Sequence, residues 1–358
     1  METKQPHVFV VIPNWNGAKD LPTAIDAVLA QSYTNLTLVV VDNGSTDKSR
    51  EIIEAYQRKD PRVRHIYNDK NYGYTGGMNP GMQLAIGEGA EYVAGCNNDA
   101  KPHKDWLKHL VTFLEKHPSY GTAACKLLHA DGKTIDSTGE EYSMWGLPFP
   151  RGRSEAVIDQ YDDQTEIFGA SGGASMYRVK MLREVGIFDQ DFFAYYEDTD
   201  LSFRSQLAGW KVAFVPQSIV YHAIGQTSAR LDKGKKRAAG SANSFTTTQF
   251  MKNLPFIIVK DLPIGLWWRV VPRFMLAYTM FFFRSILDGR GAAALKGAAI
   301  FWLKLPKKLI QRRRIQKTRK ISNQHLWNLL IHDLPPNAEK LRKLRSFWHS
   351  LAQTQNKV

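Results

Sequence analysis

Short runs of β-branched residues alternate with amphipathic stretches of helical period through the first half of this chain. HVFVVIPN (His7 to Asn14) and LTLVVVDNGS (Leu36 to Ser45) read as strands that end in turn residues. Leu21 to Gln31 reads as a helix after the first, and a helix from about Thr46, with Asp47 in its first turn, follows the second. VRHIYN reads as a third strand and EYVAGCNND (Glu91 to Asp99) as a fourth. Between them, NYGYTGGMNPGMQLAIGEG offers a flexible glycine loop and then a helix that accepts Pro80 in its first turn. Strands and helices in this order imply an α/β fold with a mostly parallel sheet covered by helices. Ligands of such sheets bind beyond the carboxyl ends of the strands, where Asp42, Asn43 and the triplet Asn97, Asn98, Asp99 fall.

Gly121 to Pro150 is less regular and reads as hairpins or a loop. Order returns with IFGASGGASMYRVKMLREVG, a strand or loop leading into a helix. FFAYYEDTDLSFR (Phe192 to Arg204) then opens a helix running to about Ala208, followed by a strand KVAFVP and by SIVYHAIG, which carries His222. The α/β unit is expected to end near Arg230, dividing the chain into residues 1–230 and 231–358.

The second part has a different character. LDKGKKRAAGSANS reads as a linker, and the aromatic-rich segment after it is interrupted by cations. Leu231 to Lys320 holds 20 Lys or Arg against 3 Asp, a net of +17 in a chain whose total is +14. Its longest clean apolar run, Phe274 to Phe283, is too short for a spanning helix. Aromatic faces between cations suit a helix lying in the plane of a membrane surface, with KLPKKLIQRRRIQKTRK as a basic flank for anionic head groups. The competing reading is a soluble helical cap with a basic outer face. No RNA or DNA module signature appears, so no nucleic-acid partner is expected.

The opening METKQPHVFVVIPNWNG lacks the pattern of a signal peptide. Cys96 and Cys125 lie in apolar contexts and read as buried thiols of a reducing compartment. A cytoplasmic location follows as an expectation.

Taken singly, each polar candidate has a structural reading beside the functional one. Asp42 could accept a hydrogen bond from a bound base or sugar, or stabilise its own turn with Asn43 and Gly44. Asp99 could ligate a divalent cation whose shell is completed by nucleotide phosphates, or close a turn with Asn97 and Asn98. His222 could be a ligand or a satisfied structural histidine. Glu197, Asp198 and Asp200 could be catalytic, or could complement a helix start, with Asp200 and Arg204 as an i, i+4 pair.

Together, the motifs VIPNWNG, VDNGSTDKS, NYGYTGGMN, NNDA, GASGGASMYR, FFAYYEDTDLSFRSQLAGWKVAFVP and VYH, in this order from about Val8 to Ile224, resemble the inverting family 2 glycosyltransferases with the GT-A nucleotide-sugar fold, in particular rhamnosyltransferase-like members. The resemblance implies that Pro13, Asn14 and Asp42 hold a pyrimidine nucleotide, Asp42 facing the base, with Asn71 and Gly73 in the loop beside it. Asn97 and Asp99 match the Asp-x-Asp metal motif, with Asn98 between them beside the nucleotide, and His222 matches a further metal ligand. Asn97 replaces the first aspartate, which removes one negative charge from the metal shell.

Gly172 and Gly173 match the small-residue turn of the sugar pocket, Asp198 the catalytic base, and Glu197 a residue that helps position acceptor or base. The resemblance also implies a divalent metal (Mg or Mn), a dTDP-rhamnose donor with a UDP-sugar as the alternative, and inversion in one displacement. The acceptor would be a lipid-linked saccharide met on the cytoplasmic face of the membrane. Residues 1–230 are then the GT-A catalytic domain and residues 231–358 a membrane-associating helical region. A non-catalytic membrane scaffold of the same fold is the remaining alternative.

Overall fold

Strand β1 (Val8–Asn14) pairs in parallel with β2 (Leu36–Asn43), which sets Asn14 opposite Asp42 at their carboxyl ends. These strands are buried on both sides, as a parallel sheet covered by helices requires. Along β1 the side chains alternate. Val8, Val10 and Ile12 join the core that holds helices α1 (Leu21–Leu29) and α4 (Trp106–Lys116), while Phe9 and Val11 join the one that holds α3 (Gly73–Gly87).

The computed structural model describes residues 5–223 and 243–336. Beyond β1 and β2, the main sheet holds β3 (Val63–Asn68), β4 (Tyr92–Gly95), β5 (Ala100–Pro102), β6 (Tyr120–His129), β7 (Ile135–Ser137), β10 (Glu166–Ile167), β11 (Ser175–Arg178) and β12 (Lys211–His222). Its order is β10-β12-β6-β11-β4-β1-β2-β3, with β5 on β12 and β7 on β6. The chain is parallel from β4 through β3, and β11 runs antiparallel between β4 and β6. Strands β8 (Glu140–Tyr142) and β9 (Pro148–Pro150) form a separate hairpin. The remaining helices are α2 (Ser49–Lys59), α5 (Val179–Val185), α6 (Glu197–Leu207), α7 (Ser244–Lys260), α8 (Ile264–Leu287), α9 (Gly291–Lys317) and α10 (Asn323–Leu329). The mostly parallel sheet flanked by helices is the α/β class expected, and both cysteines are buried and free.

Four local expectations need correction. Helix α2 starts at Ser49, because Asp47 lies outside it and accepts from the amides of Ser49 (3.0 Å) and Ala18 (2.9 Å). The glycine stretch expected to be a flexible loop is the first half of α3. A Cβ on Gly77 would lie 2.7 Å from Pro13 Cβ, and one on Gly81 2.7 Å from Val11, so the glycines let α3 lie directly on β1. Pro80 therefore sits inside the helix. It cannot donate to the Gly76 carbonyl, which instead accepts from Asn68 Nδ2 at 3.0 Å. Finally, KVAFVP and SIVYH are one strand, β12, with a register shift between Val215 and Ile219.

The boundary expected near Arg230 and the LDKGKKRAAGSANS linker lie almost wholly outside the described residues. Past them, α7 belongs to the same core as the end of the α/β unit: Leu254, Phe256, Ile257 and Ile258 pack with Tyr142, Phe168, Phe192 and Phe203. Helix α8 runs 24 residues without a break, so the expectation that this segment is too short to span fails on length and composition. One face of α8, including Leu266, Val270 and Phe274, is buried in the α7 core. Part of the expected basic flank turns inward. Lys308, with no exposure, pairs with Asp189 at 2.7 Å and Asp191 at 2.9 Å, and Lys304 and Lys307 also reach Asp191.

Candidate active site

At the carboxyl ends of β1 and β2 the buried Asn14 amide donates to Asp42 Oδ1 (3.2 Å) and to Ser45 Oγ (3.3 Å), and accepts from Asn98 Nδ2 (2.8 Å). A Cβ at Gly17 would lie 2.2 Å from both Asn14 Oδ1 and Asn98 Nδ2, so this glycine seals the cluster. The second oxygen of Asp42 accepts from the Ser45 amide at 3.4 Å, so the turn reading holds alongside any role toward a ligand. Pro13 lies against α3 beneath this cluster.

Beside it, Asn43 organises the β2 and β3 ends. Its Nδ2 donates to Asn71 Oδ1 (3.1 Å) and to the Gly73 carbonyl (2.8 Å), and its Oδ1 accepts from the Tyr72 amide (3.1 Å) and Asn68 Nδ2 (2.9 Å). Gly73, at φ 75°, has no room for a side chain, since a Cβ would meet the Phe193 carbonyl at 2.2 Å. Sequence reading gave Asn43 only a place in the Asp42 turn; its four bonds became visible once the fold brought Asn68 and the loop after β3 beside it.

The triplet after β4 serves two clusters. Asn98 points to Asn14, whereas Asn97 and Asp99 face His222 at the end of β12. His222 Nε2 lies 3.1 Å from Asp99 Oδ1 and 3.3 Å from Asn97 Nδ2. Its Nδ1 bonds Asp136 Oδ2 at 2.8 Å, and Asp136 Oδ1 accepts from Arg153 Nη2 at 2.6 Å. Burial pushes His222 down, but its bonds to Asp136 and Asp99 outweigh that and raise it to about 9. Asp136, on β7, was missed because nothing in IDSTGEEY signals which strand it will face.

Asp99 Oδ1 and His222 Nε2 fit a divalent cation as two neighbouring ligands. Their 3.1 Å separation is that of two atoms at a right angle about an ion with bonds of about 2.1 Å. Asp136 stands behind the imidazole as the carboxylate that orients a ligating histidine. Among the described residues no third His, Cys, Asp or Glu joins the pair, which agrees with the loss of charge at Asn97.

The loop before β11 connects this pair to the acids of α6. The Asn97 amide donates to the Gly173 carbonyl at 3.0 Å. Asp198 Oδ2 accepts from the Gly172 amide at 2.9 Å, and its Oδ1 from the Thr199 amide at 2.8 Å. A Cβ on Gly172 would press on Tyr74 and on Asp198 at 3.3 and 3.4 Å, whereas one on Gly173 would make only ordinary contacts. Burial raises Asp198 above the usual carboxylate range against the opposing pull of these two amides. Glu197 is more deeply buried. Burial and the Asp198 charge push it well up, and its Oε2 has no hydrogen-bond partner among the described residues. Glu140, which the sequence did not single out, is a third carboxyl raised by burial and by Asp198.

The aromatic run before these acids is strained. Phe193, Tyr195 and Tyr196 all have positive φ (65°, 70° and 69°), and the Ala194 amide closes a three-residue turn onto the Phe192 carbonyl at 2.8 Å. Such conformations cost on the order of 1–3 kcal/mol each and persist only when over-determined. Here Asn253 Nδ2 of α7 lies 2.8 to 3.1 Å from the carbonyls of Phe192, Ala194 and Tyr195, and Lys252 Nζ also reaches Phe192. The helix beyond the expected domain boundary thus holds the start of α6.

Residues 9–186 match the family described as Glycosyl transferase family 2. That span includes Asp42, Asp99 and Gly172 but ends before Glu197, Asp198 and His222. An uncharacterized glycosyltransferase of Nostoc sp. is 25% identical over 252 residues, 69% of this chain and 74% of that protein. The putative teichuronic acid biosynthesis glycosyltransferase TuaG of Bacillus subtilis is 30% identical over 137 residues, 38% of this chain. That match covers 53% of TuaG, so the chain spans about half the length of this relative. The solved structure of mannosyltransferase PcManGT from Pyrobaculum calidifontis, in complex with GDP-Man and Mn2+, superposes over 88% of both chains with a TM-score of 0.53 at 15% identity, a likeness of fold. Over residues 9–186 this chain is thus similar to a Glycosyl transferase family 2 domain.

Proposed function

We propose that the chain is an inverting glycosyltransferase of polysaccharide or cell-wall biosynthesis that uses a nucleotide-sugar donor, with Asp198 as general base. The observation that carries this reading is the Asp198 carboxylate itself. Two backbone amides fix it, no cation forms an ion pair with it among the described residues, and burial raises its affinity for a proton. A base so held takes the proton of an acceptor hydroxyl as its oxygen attacks the anomeric carbon. The hydroxyl adds to one face and the diphosphate leaves from the other, giving inversion in a single step.

The other residues divide the remaining work. Asp42 presents an acceptor to the base of the nucleotide, and Asn14 and Asn98 hold its orientation. Asn71 and Gly73 shape the neighbouring wall through Asn43. Gly172 and Gly173 leave space for the sugar. Glu197, whose affinity for a proton is raised by burial, positions acceptor or base. Asp99 and His222 would hold a divalent cation, Mg or Mn; such an ion stabilises negative charge on a leaving diphosphate. Asp136 keeps the His222 ring turned to that position.

The donor expected from the sequence resemblance is dTDP-rhamnose, with UDP-hexose, UDP-N-acetylhexosamine or UDP-galactofuranose as the alternative. The complex of PcManGT with GDP-Man adds a third nucleotide to the panel. Assay of dTDP-, UDP- and GDP-sugars for metal-dependent hydrolysis and transfer, with the product anomer read by NMR, tests the proposal. Inversion with one donor class supports it. Retention of configuration, or no nucleotide-sugar turnover in the presence of either metal, contradicts it.

The acceptor side of the proposal is a lipid-linked saccharide reached by peripheral attachment to the cytoplasmic face of the membrane. Helices α8 and α9 support this because each is apolar on two opposite faces. The inner faces pack on α7. The outer faces leave Trp268 and Trp302 69% and 67% exposed, with Met275, Leu276, Phe283, Leu295, Leu303 and Ile310 also open. Apolar surface on both sides of a helix is expected where a second apolar medium covers the outside. Because α7 braces the start of α6, the test is substitution on the outer faces rather than truncation. Trp268→Ser with Trp302→Ser is expected to abolish vesicle co-sedimentation while leaving turnover of a soluble acceptor analogue intact.

A further inference from the structure

The outer faces of α8 and α9 converge at one end of the helix pair on a basic cavity. It has a volume of about 410 Å³ and is lined by Ile264, Gly265, Arg312, Arg313, Gln316, Arg319 and Asn323. Among the described residues no carboxylate lines it. Arg312 is anchored through the carbonyls of Val259 (2.9 Å) and Leu262 (2.7 Å) and stacks over Trp267, and Arg319 is held by Asn323 Oδ1 at 2.5 Å. Arg313 is exposed. Burial lowers Arg312, against the opposing charge of Asp261, and the charge of Arg319 adds to the lowering. Gly265 lets the Asn323 side chain lie close, since a Cβ there would be 2.1 Å from Asn323 Nδ2.

We propose that this cavity binds the phosphodiester head group of an anionic lipid. Guanidinium forks fixed by carbonyls are suited to paired hydrogen bonds with phosphate oxygens. The neighbouring surface supplies the reason for choosing a lipid over free phosphate. Ile264 forms a wall of the cavity and, one turn on, Trp268 continues the open apolar face of α8. On α9, Ile310 and Leu309 lie one turn before Arg313, which shares their face by the 3.6-residue repeat. A phosphate in the cavity therefore has apolar surface leading away from it along both helices, where acyl chains would lie.

The inference rests on the membrane-facing reading of α8 and α9, but not on the catalytic one. It is tested by binding the full chain to phosphatidylcholine vesicles with and without phosphatidylglycerol, and by titration with inorganic phosphate. Wild type is expected to prefer the phosphatidylglycerol vesicles. Arg313→Gln should weaken that binding on the order of fivefold and Arg313→Gln with Arg319→Gln tenfold or more. Lys296→Gln, which removes an exposed cation near the other end of α9, should have much less effect, with all variants melting at the wild-type temperature. Equal losses for Arg313→Gln and Lys296→Gln would reduce the effect to general surface charge and overturn the site. Absence of vesicle binding by wild type would overturn the membrane reading with it. Saturable binding of inorganic phosphate without vesicle preference would overturn the lipid assignment alone.

Discussion

The first turn of α6 treats its carboxylates in two opposite ways. Glu197 and Asp198 are raised by burial, and Asp198 is held by amides of Gly172 and Thr199 instead of by a side-chain cation. Asp200, in the same turn, is held below the usual range. Burial opposes this, but Arg204 Nη2 at 2.7 Å and the buried Lys260 prevail. Burial alone therefore does not decide what a carboxylate can do. Within one turn, Asp200 is anchored by Arg204 of the same helix and by Lys260 of α7, whereas Asp198, the proposed proton acceptor, is held by backbone amides.

Breaking the Asp200 anchor should have the largest effect on the fold. Arg204→Met leaves Asp200 with Lys260 only and frees the carbonyls of Val185, Gly186 and Ile187 that Arg204 caps. A loss of about 3–5 kcal/mol in urea unfolding is expected. Asn253→Ala sharpens the contrast from the other side. It removes the donor shared by three carbonyls of the strained run, and a loss of about 1–3 kcal/mol is expected. Turnover should fall more than that loss of folded protein explains, because Asp198 follows directly on the run; kcat at full donor saturation measures this.

The smallest effect is a difference in pH dependence. Glu197 titrates above its unfolded value, so its contribution to stability is present below about pH 4.5 and lost as pH rises through its folded pKa. Asp200 titrates below its unfolded value, so its contribution is present above about pH 4 and lost as pH falls through its folded pKa. Glu197→Gln should flatten the alkaline decline of the melting temperature and leave the acid side unchanged. A flattening on the acid side would reverse the assignment.

The sheet was legible because alternating β-branched runs and helical periods report directly on burial. So were the strand-end position of Asp42 and the pairing of Asp200 with Arg204, which is local; Asp99 was expected to end the fourth strand, yet β4 stops at Gly95 and Asp99 lies just before β5. The rest depended on contacts between distant segments. Asp136 reaches His222 only because β7 and β12 flank β6. Asn253 looks like an ordinary helix residue until α7 lies under Phe192 to Tyr195. The lysines of KLPKK read as membrane-facing by charge alone, yet Lys308 is buried against Asp189 and Asp191, acids more than a hundred residues away.

The central claim is that Asp198, and not its neighbour Asp200, performs proton transfer. Turnover of Asp198→Asn and Asp200→Asn should be compared at equal amounts of folded protein and saturating donor, with donor affinity measured by calorimetry. The account predicts that Asp198→Asn binds donor normally and loses on the order of 10² to 10⁴ in kcat, while Asp200→Asn loses stability but retains turnover per folded molecule. Near-normal turnover in Asp198→Asn would contradict it.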